Sequence, residues 1–130
     1  TYNSNMKNLY QMLDPIKFSK NGPNSWLDKA DIELETAELI EGQPMGLDHA
    51  YFQNTDQGVR AGIWRSSPYT EFYENYPCSE FMYLLEGSVT LENDSFSETY
   101  IKGDSFLVPK GFRGYWKQTE PILKYYVIVD

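Results

Sequence analysis

The sequence predicts an all-β fold, and three observations carry that expectation. Apolar runs are short and are broken by Gly, Pro, Asn and Asp. Several of these runs alternate apolar with polar residues, the period of a strand. Aromatic residues are abundant, with 11 Tyr, 7 Phe and 3 Trp in 130 residues, and suit a pleated, half-buried surface.

The elements follow in chain order. Met6, Leu9, Tyr10 and Leu13 fall at helical spacing with Asn3 or Ser4 as N-cap, and Asp14-Pro15 stops the helix. Residues 1–25 are therefore expected to form an arm with a short helix, and 26–130 a single domain. "SKNGPNS" is a loop by composition. "ADIELET" sets Ile32 and Leu34 against Glu33 and Glu35, as in a half-exposed strand. "AYFQNTDQGVRAGIW" reads as a hairpin around its Asn-Thr-Asp-Gln-Gly turn. Tyr69–Tyr73 is a further strand. Phe81–Leu91 is the strongest strand signal; "ENDS" turns it, and Phe96–Ile101 returns. "KGDSFLVPKGFRG" holds two glycine-centred turns around the run Phe106–Val108, and Tyr115–Lys117 and Lys124–Val129 close the chain as strands. Many short antiparallel strands indicate a sandwich or a barrel.

Composition narrows the function. A formal charge of −8 argues against nucleic acid and anionic membrane surfaces, both of which need a Lys/Arg face. No stretch approaches a membrane span or reads as a signal peptide. The single cysteine, Cys78, excludes an internal disulfide framework and fits a reducing compartment. A cytoplasmic protein is the default expectation.

Two motifs stand in order near the end of the chain. "SEFMYLLEGSVTL" followed by "GDSFLVPKGFRGYW" resembles the two signature motifs of the cupins. The resemblance implies a jelly-roll β-barrel of two antiparallel sheets. In the first motif Glu80 and Gly87 match, while the two histidine positions fall on Glu74 and Tyr76 and an upstream glycine position on Pro68. In the second, Gly103, Pro109 and Gly111 match, and the histidine and asparagine positions hold Gly114 and Gln118. With "AGIWRSSP" and "EPILKYYVIV", the chain is similar to the branch that includes ureidoglycine aminohydrolase-like and ethanolamine-utilisation EutQ-like proteins, over residues 42–129.

Cupin metal sites combine neutral imidazoles with a carboxylate. Here the matching positions supply two carboxylates, a phenol and a glycine, and the sole histidine, His49, is distant in sequence. No metal and no cofactor are expected. Strand alternation puts Glu80, Met82 and Leu84 on one face and Phe81, Tyr83 and Leu85 on the other. The resemblance implies that the Glu80 face looks into the barrel. Tyr76, Trp116 and Gln118 share that inward parity, and Glu74 is assigned to it as well. Lys124 and Tyr126 share a parity whose face the sequence leaves open.

The expected pocket is therefore lined by Glu74, Tyr76, Glu80, Trp116 and Gln118, with Arg65 or Lys124 as charge partners. Glu80 is the best candidate for a catalytic group, and a buried structural carboxylate is its alternative role. Carboxylate and aromatic walls suit a small polar, nitrogen-containing metabolite. The alternatives are a metal-dependent aminohydrolase-like enzyme and a non-catalytic regulatory or partner-binding domain. Large apolar residues on the opposite face suggest a homodimer.

Overall fold

A computed structural model describes residues 13–130. All of the helix expected near the start except its last residue, Leu13, lies outside the described residues. Among the described residues, eleven strands form two antiparallel sheets. The first sheet runs β1 (Ile32–Glu33), β3 (Met45–Asn54), β4 (Val59–Ser66), β11 (Ile122–Val129), β6 (Ser79–Glu86) and β9 (Ser105–Val108). The second runs β2 (Glu38–Gly42), β5 (Tyr69–Tyr73), β10 (Gly114–Gln118), β7 (Ser88–Asn93) and β8 (Phe96–Ile101). The only helical element among the described residues is a single 3-10 turn, Trp26–Asp28. This is the two-sheet arrangement of a jelly roll. Among the described residues, no helix is long and apolar enough to cross a membrane.

The β3–β4 hairpin forms around the turn read from sequence, with His49 opposite Ile63. The strong run Phe81–Leu91 is not one strand. It divides at Gly87, whose φ of +89° turns the chain out of the first sheet and into the second. A side chain there would also collide with the backbone, because a Cβ would lie 2.1 Å from the Pro121 carbonyl oxygen. The strand expected at "ADIELET" shrinks to Ile32–Glu33, and β2, which sequence reasoning did not anticipate, pairs with β5 along an exposed edge.

Between the sheets, the side chains alternate as a two-layer barrel requires. Met82 and Leu84 are fully buried with Val89, Leu91, Trp116 and Ile122, while Phe81 and Tyr83 face outward. The segment before β1 lies on the outer face of the first sheet. Phe18 stacks on Tyr51 at 4.7 Å and meets the edge of Tyr125 at 5.6 Å. Trp26, buried, lies under the Arg65 guanidinium at 4.7 Å.

Candidate functional site

A cavity of about 150 Å³ opens between the two sheets. Its floor is a buried ion pair. Glu80 on β6 and Lys124 on β11 are both more than nine-tenths buried and lie 3.0 Å apart, Nζ to Oε2. The other carboxylate oxygen accepts a hydrogen bond of 2.8 Å from the Tyr76 hydroxyl. Lys124 also lies 3.2 Å from the Met82 sulfur. Two indoles flank its ammonium, with the Trp64 ring at 4.5 Å and the Trp116 ring at 4.9 Å. The pairing is set by the sheet: β6 and β11 are neighbours, and Lys124 sits opposite Leu84 while Glu80 sits opposite Ile128. The long lysine stem spans that offset and leaves its charge among the aromatic faces.

The opposite wall comes from β5. Tyr69, Glu71 and Tyr73 share one face, and Glu71 is buried. Its carboxylate accepts from the Tyr73 hydroxyl, from the Tyr69 hydroxyl at 3.4 Å and from the Ala37 backbone N–H at 3.0 Å. Burial raises the Glu71 pKa, and the hydrogen bonds oppose that rise without cancelling it. Burial also holds the phenols of Tyr69, Tyr73 and Tyr76 well above their ordinary range, so all three remain neutral donors. At the rim, Tyr126 donates to Asp48, which also pairs with Arg60.

The structure brings together Tyr76, Glu80, Trp116 and Lys124 from the expected set, and it settles the face of Lys124 as inward. Three other expected pocket residues lie elsewhere. Glu74 follows the end of β5 in an exposed bend, where the chain has left strand parity, and its side chain is 76% exposed and bonded to Arg113 at 3.1 Å. Arg65 points outward and clasps the segment before β1, donating to the Trp26 and Lys29 carbonyls at 2.8 Å each and pairing with Asp31. Gln118 is buried but has no free polar group. Its carbonyl accepts from the Trp116 indole N–H at 3.1 Å, and its amide donates to the carbonyls of Ser66, Ser67 and Glu120. Its effect on the pocket is to fix the Trp116 ring. His49, edge-on to Tyr51 at 4.8 Å, does not line the cavity.

Sequence reasoning missed Trp64, Tyr69, Glu71, Tyr73, Asp48 and Tyr126. A signal for the β5 set was present: a glutamate flanked at period two by tyrosines. Its inward sense had no motif to anchor it.

The donor set does not fit the metal centre that the fold family implies. Glu80 is engaged by an ammonium and a phenol, Tyr76 is a neutral donor, and Glu74 lies on the surface. At Gly114 a Cβ would fall 2.5 Å from the Phe112 ring and 2.6 Å from the Glu92 carbonyl oxygen, leaving no room for a ligand side chain without rearrangement. Among the described residues, no three His, Cys, Asp or Glu side chains are disposed around one point. Cys78 offers no thiolate, since burial pushes its thiol to about 11.

The model of the EutQ-like cupin domain matches residues 54–126. Among solved structures, a DUF861-family protein of unknown function from Pseudomonas syringae superposes with a TM-score of 0.68 at 24% identity, over 91% of this chain and 46% of that one. The EutQ protein of Clostridium difficile does so at 0.56 and 15%, over 66% of this chain and 68% of that one. A Rhizobium leguminosarum protein of unknown function gives 0.62 and 16%, over 90% and 98%. At these identities the likeness is one of fold. The chain thus spans under half of the Pseudomonas protein. No curated protein matches it.

Proposed function

Because the chain belongs to the EutQ-like cupin domain family, we propose that it binds a small polar, nitrogen-containing metabolite in a metal-independent barrel pocket. The observation that carries this reading is the cavity itself, floored by Glu80 and Lys124 and walled by Trp64, Trp116 and the tyrosines of β5 and Tyr76. Carboxylate and aromatic surfaces in one small space favour amine or ureide groups, which donate hydrogen bonds and stack. At about 150 Å³ the space is below the usual drug-sized range, so the ligand is small. The Lys124 ammonium stands against Glu80 where a metal would otherwise balance the carboxylate.

The test is a ligand screen by indole and amide NMR shifts, begun with ethanolamine and ureides. Ligands that shift the Trp64 and Trp116 indoles, and lose affinity in Glu80→Gln and Trp116→Phe, support the reading. Binding unchanged in both variants would overturn the site. Elemental analysis of untagged protein addresses the metal: stoichiometric manganese, zinc or iron would sink metal independence.

The same reading includes a homodimer. Leu107, Phe81 and Val127 form an outward apolar row across β9, β6 and β11, and Tyr83 and Val129 extend it. Among the described residues, the segment holding Phe18 and Trp26 covers other parts of this sheet and not that row. A contiguous exposed apolar surface of this kind suits a second copy.

A further inference from the structure

Lys124 has more about it than a balancing charge. It is the only lysine buried among the described residues, and it lines the cavity. A buried ion pair is at best a weak source of stability, because desolvation offsets the attraction, so its placement on a cavity wall calls for another explanation. Lysine also differs from arginine in being able to give up its proton and act as a nucleophile. Glu80 is placed to take that proton at 3.0 Å, and Tyr76 holds the second oxygen of the same carboxylate.

We infer that Lys124 is an imine-forming lysine, and that the cavity accepts a small aldehyde or ketone whose carbonyl carbon meets its Nζ. The inference rests on the reading that small molecules enter this pocket, and it adds the carbonyl group. Glu80 removes one proton from the ammonium, and the freed amine lone pair adds to the carbonyl carbon. Protons returned from nitrogen and from Glu80 convert the carbonyl oxygen into a leaving water. Two of the three ammonium protons thus depart with that oxygen, and the third stays on the iminium nitrogen. Nothing is oxidised or reduced, and Glu80 ends as the carboxylate it began as. The product keeps the positive charge of Lys124, so Glu80 and the indoles of Trp64 and Trp116, at 4.5 and 4.9 Å from the present ammonium, suit the iminium as they suit the amine. The aromatic walls limit the water that would hydrolyse it.

The experiment is trapping with propionaldehyde and sodium cyanoborohydride at neutral pH, read by peptide mass spectrometry. Lys102, whose side chain is 68% exposed, is the internal reference for an ordinary amine. The expected result is faster propylation of Lys124 than of Lys102 in the unmodified protein, a ratio that requires no variant to fold. Glu80→Gln should then slow Lys124 by about a hundredfold, the scale of a positioned proton acceptor, and leave Lys102 unchanged. Labelling of Lys124 no faster than Lys102, or labelling of Lys124 that Glu80→Gln leaves unchanged or accelerates, overturns the inference. If Lys124 stays unlabelled while ethanolamine or a ureide still shifts the two indoles, the pocket stands and the carbonyl chemistry falls. If neither occurs, both fall.

Discussion

At the scale of single residues, the pocket concentrates ionisable groups whose costs can be read one at a time. Removing the Tyr76 hydroxyl leaves a buried Glu80 oxygen without its donor, so Tyr76→Phe should cost about 1–3 kcal/mol in urea denaturation. Breaking the ion pair from one side is worse. Lys124→Met strands a buried carboxylate and should cost about 3–5 kcal/mol, whereas replacing both Glu80 and Lys124 by Met should recover most of that loss. A double variant less stable than Lys124→Met would contradict the assignment of a desolvated pair. Glu71 provides a pH signature. Its folded pKa lies above its unfolded value, so the native state holds the proton more tightly. Its contribution to stability is therefore favourable at low pH and is lost as pH rises from the ordinary glutamate range through the raised value. Denaturation midpoints across a pH series should show this decline in the unmodified protein and a flatter profile in Glu71→Gln.

At the scale of elements, the turn at Gly87 decides whether one apolar run becomes one strand or two. Both Gly87 and Gly103 sit at positive φ, +89° and +90°. They differ in surroundings: a Cβ at Gly87 would strike the Pro121 carbonyl, and one at Gly103 would meet nothing within 4 Å. Gly103→Ala should thus cost only backbone strain, about 1 kcal/mol. Gly87→Ala carries the same strain plus a collision with the Pro121 carbonyl just before β11, and should cost clearly more. Chemical denaturation of the two variants checks the difference; equal losses would mean that Gly87 is not the hinge between sheets. The β5 strand illustrates a second kind of dependence. Its alternation places Glu71 between Tyr69 and Tyr73 on one face, and only pairing with β10 and β2 turns that face toward Lys124.

At the scale of the molecule, the two faces of the first sheet have different tasks. The inner face carries Glu80 and Lys124 to the cavity, and the outer face carries Phe81, Leu107 and Val127. Light scattering after size exclusion should give a dimer at micromolar concentration, and Leu107→Glu combined with Phe81→Ser should give a folded monomer. A monomeric unmodified protein would overturn the dimer. Because the row lies on the far side of the sheet from the cavity, the monomeric variant should keep its indole shifts with any ligand found.

The sequence by itself determined the all-β class, the β3–β4 hairpin, and the shared face of Glu80, Met82 and Leu84 on β6. Those features depend on period-two alternation and on turn glycines, which are local in the chain. Tertiary structure decided the rest. Glu74, two residues from Tyr76, leaves the wall because the chain bends after β5. Arg65 turns outward because β4 has two faces and the segment around Trp26 needs a clasp. Lys124 turns inward because β11 is hydrogen-bonded between β4 and β6, a pairing of strands far apart in sequence. The ion pair with Glu80 joins residues 44 positions apart, and no local pattern encodes a contact of that range.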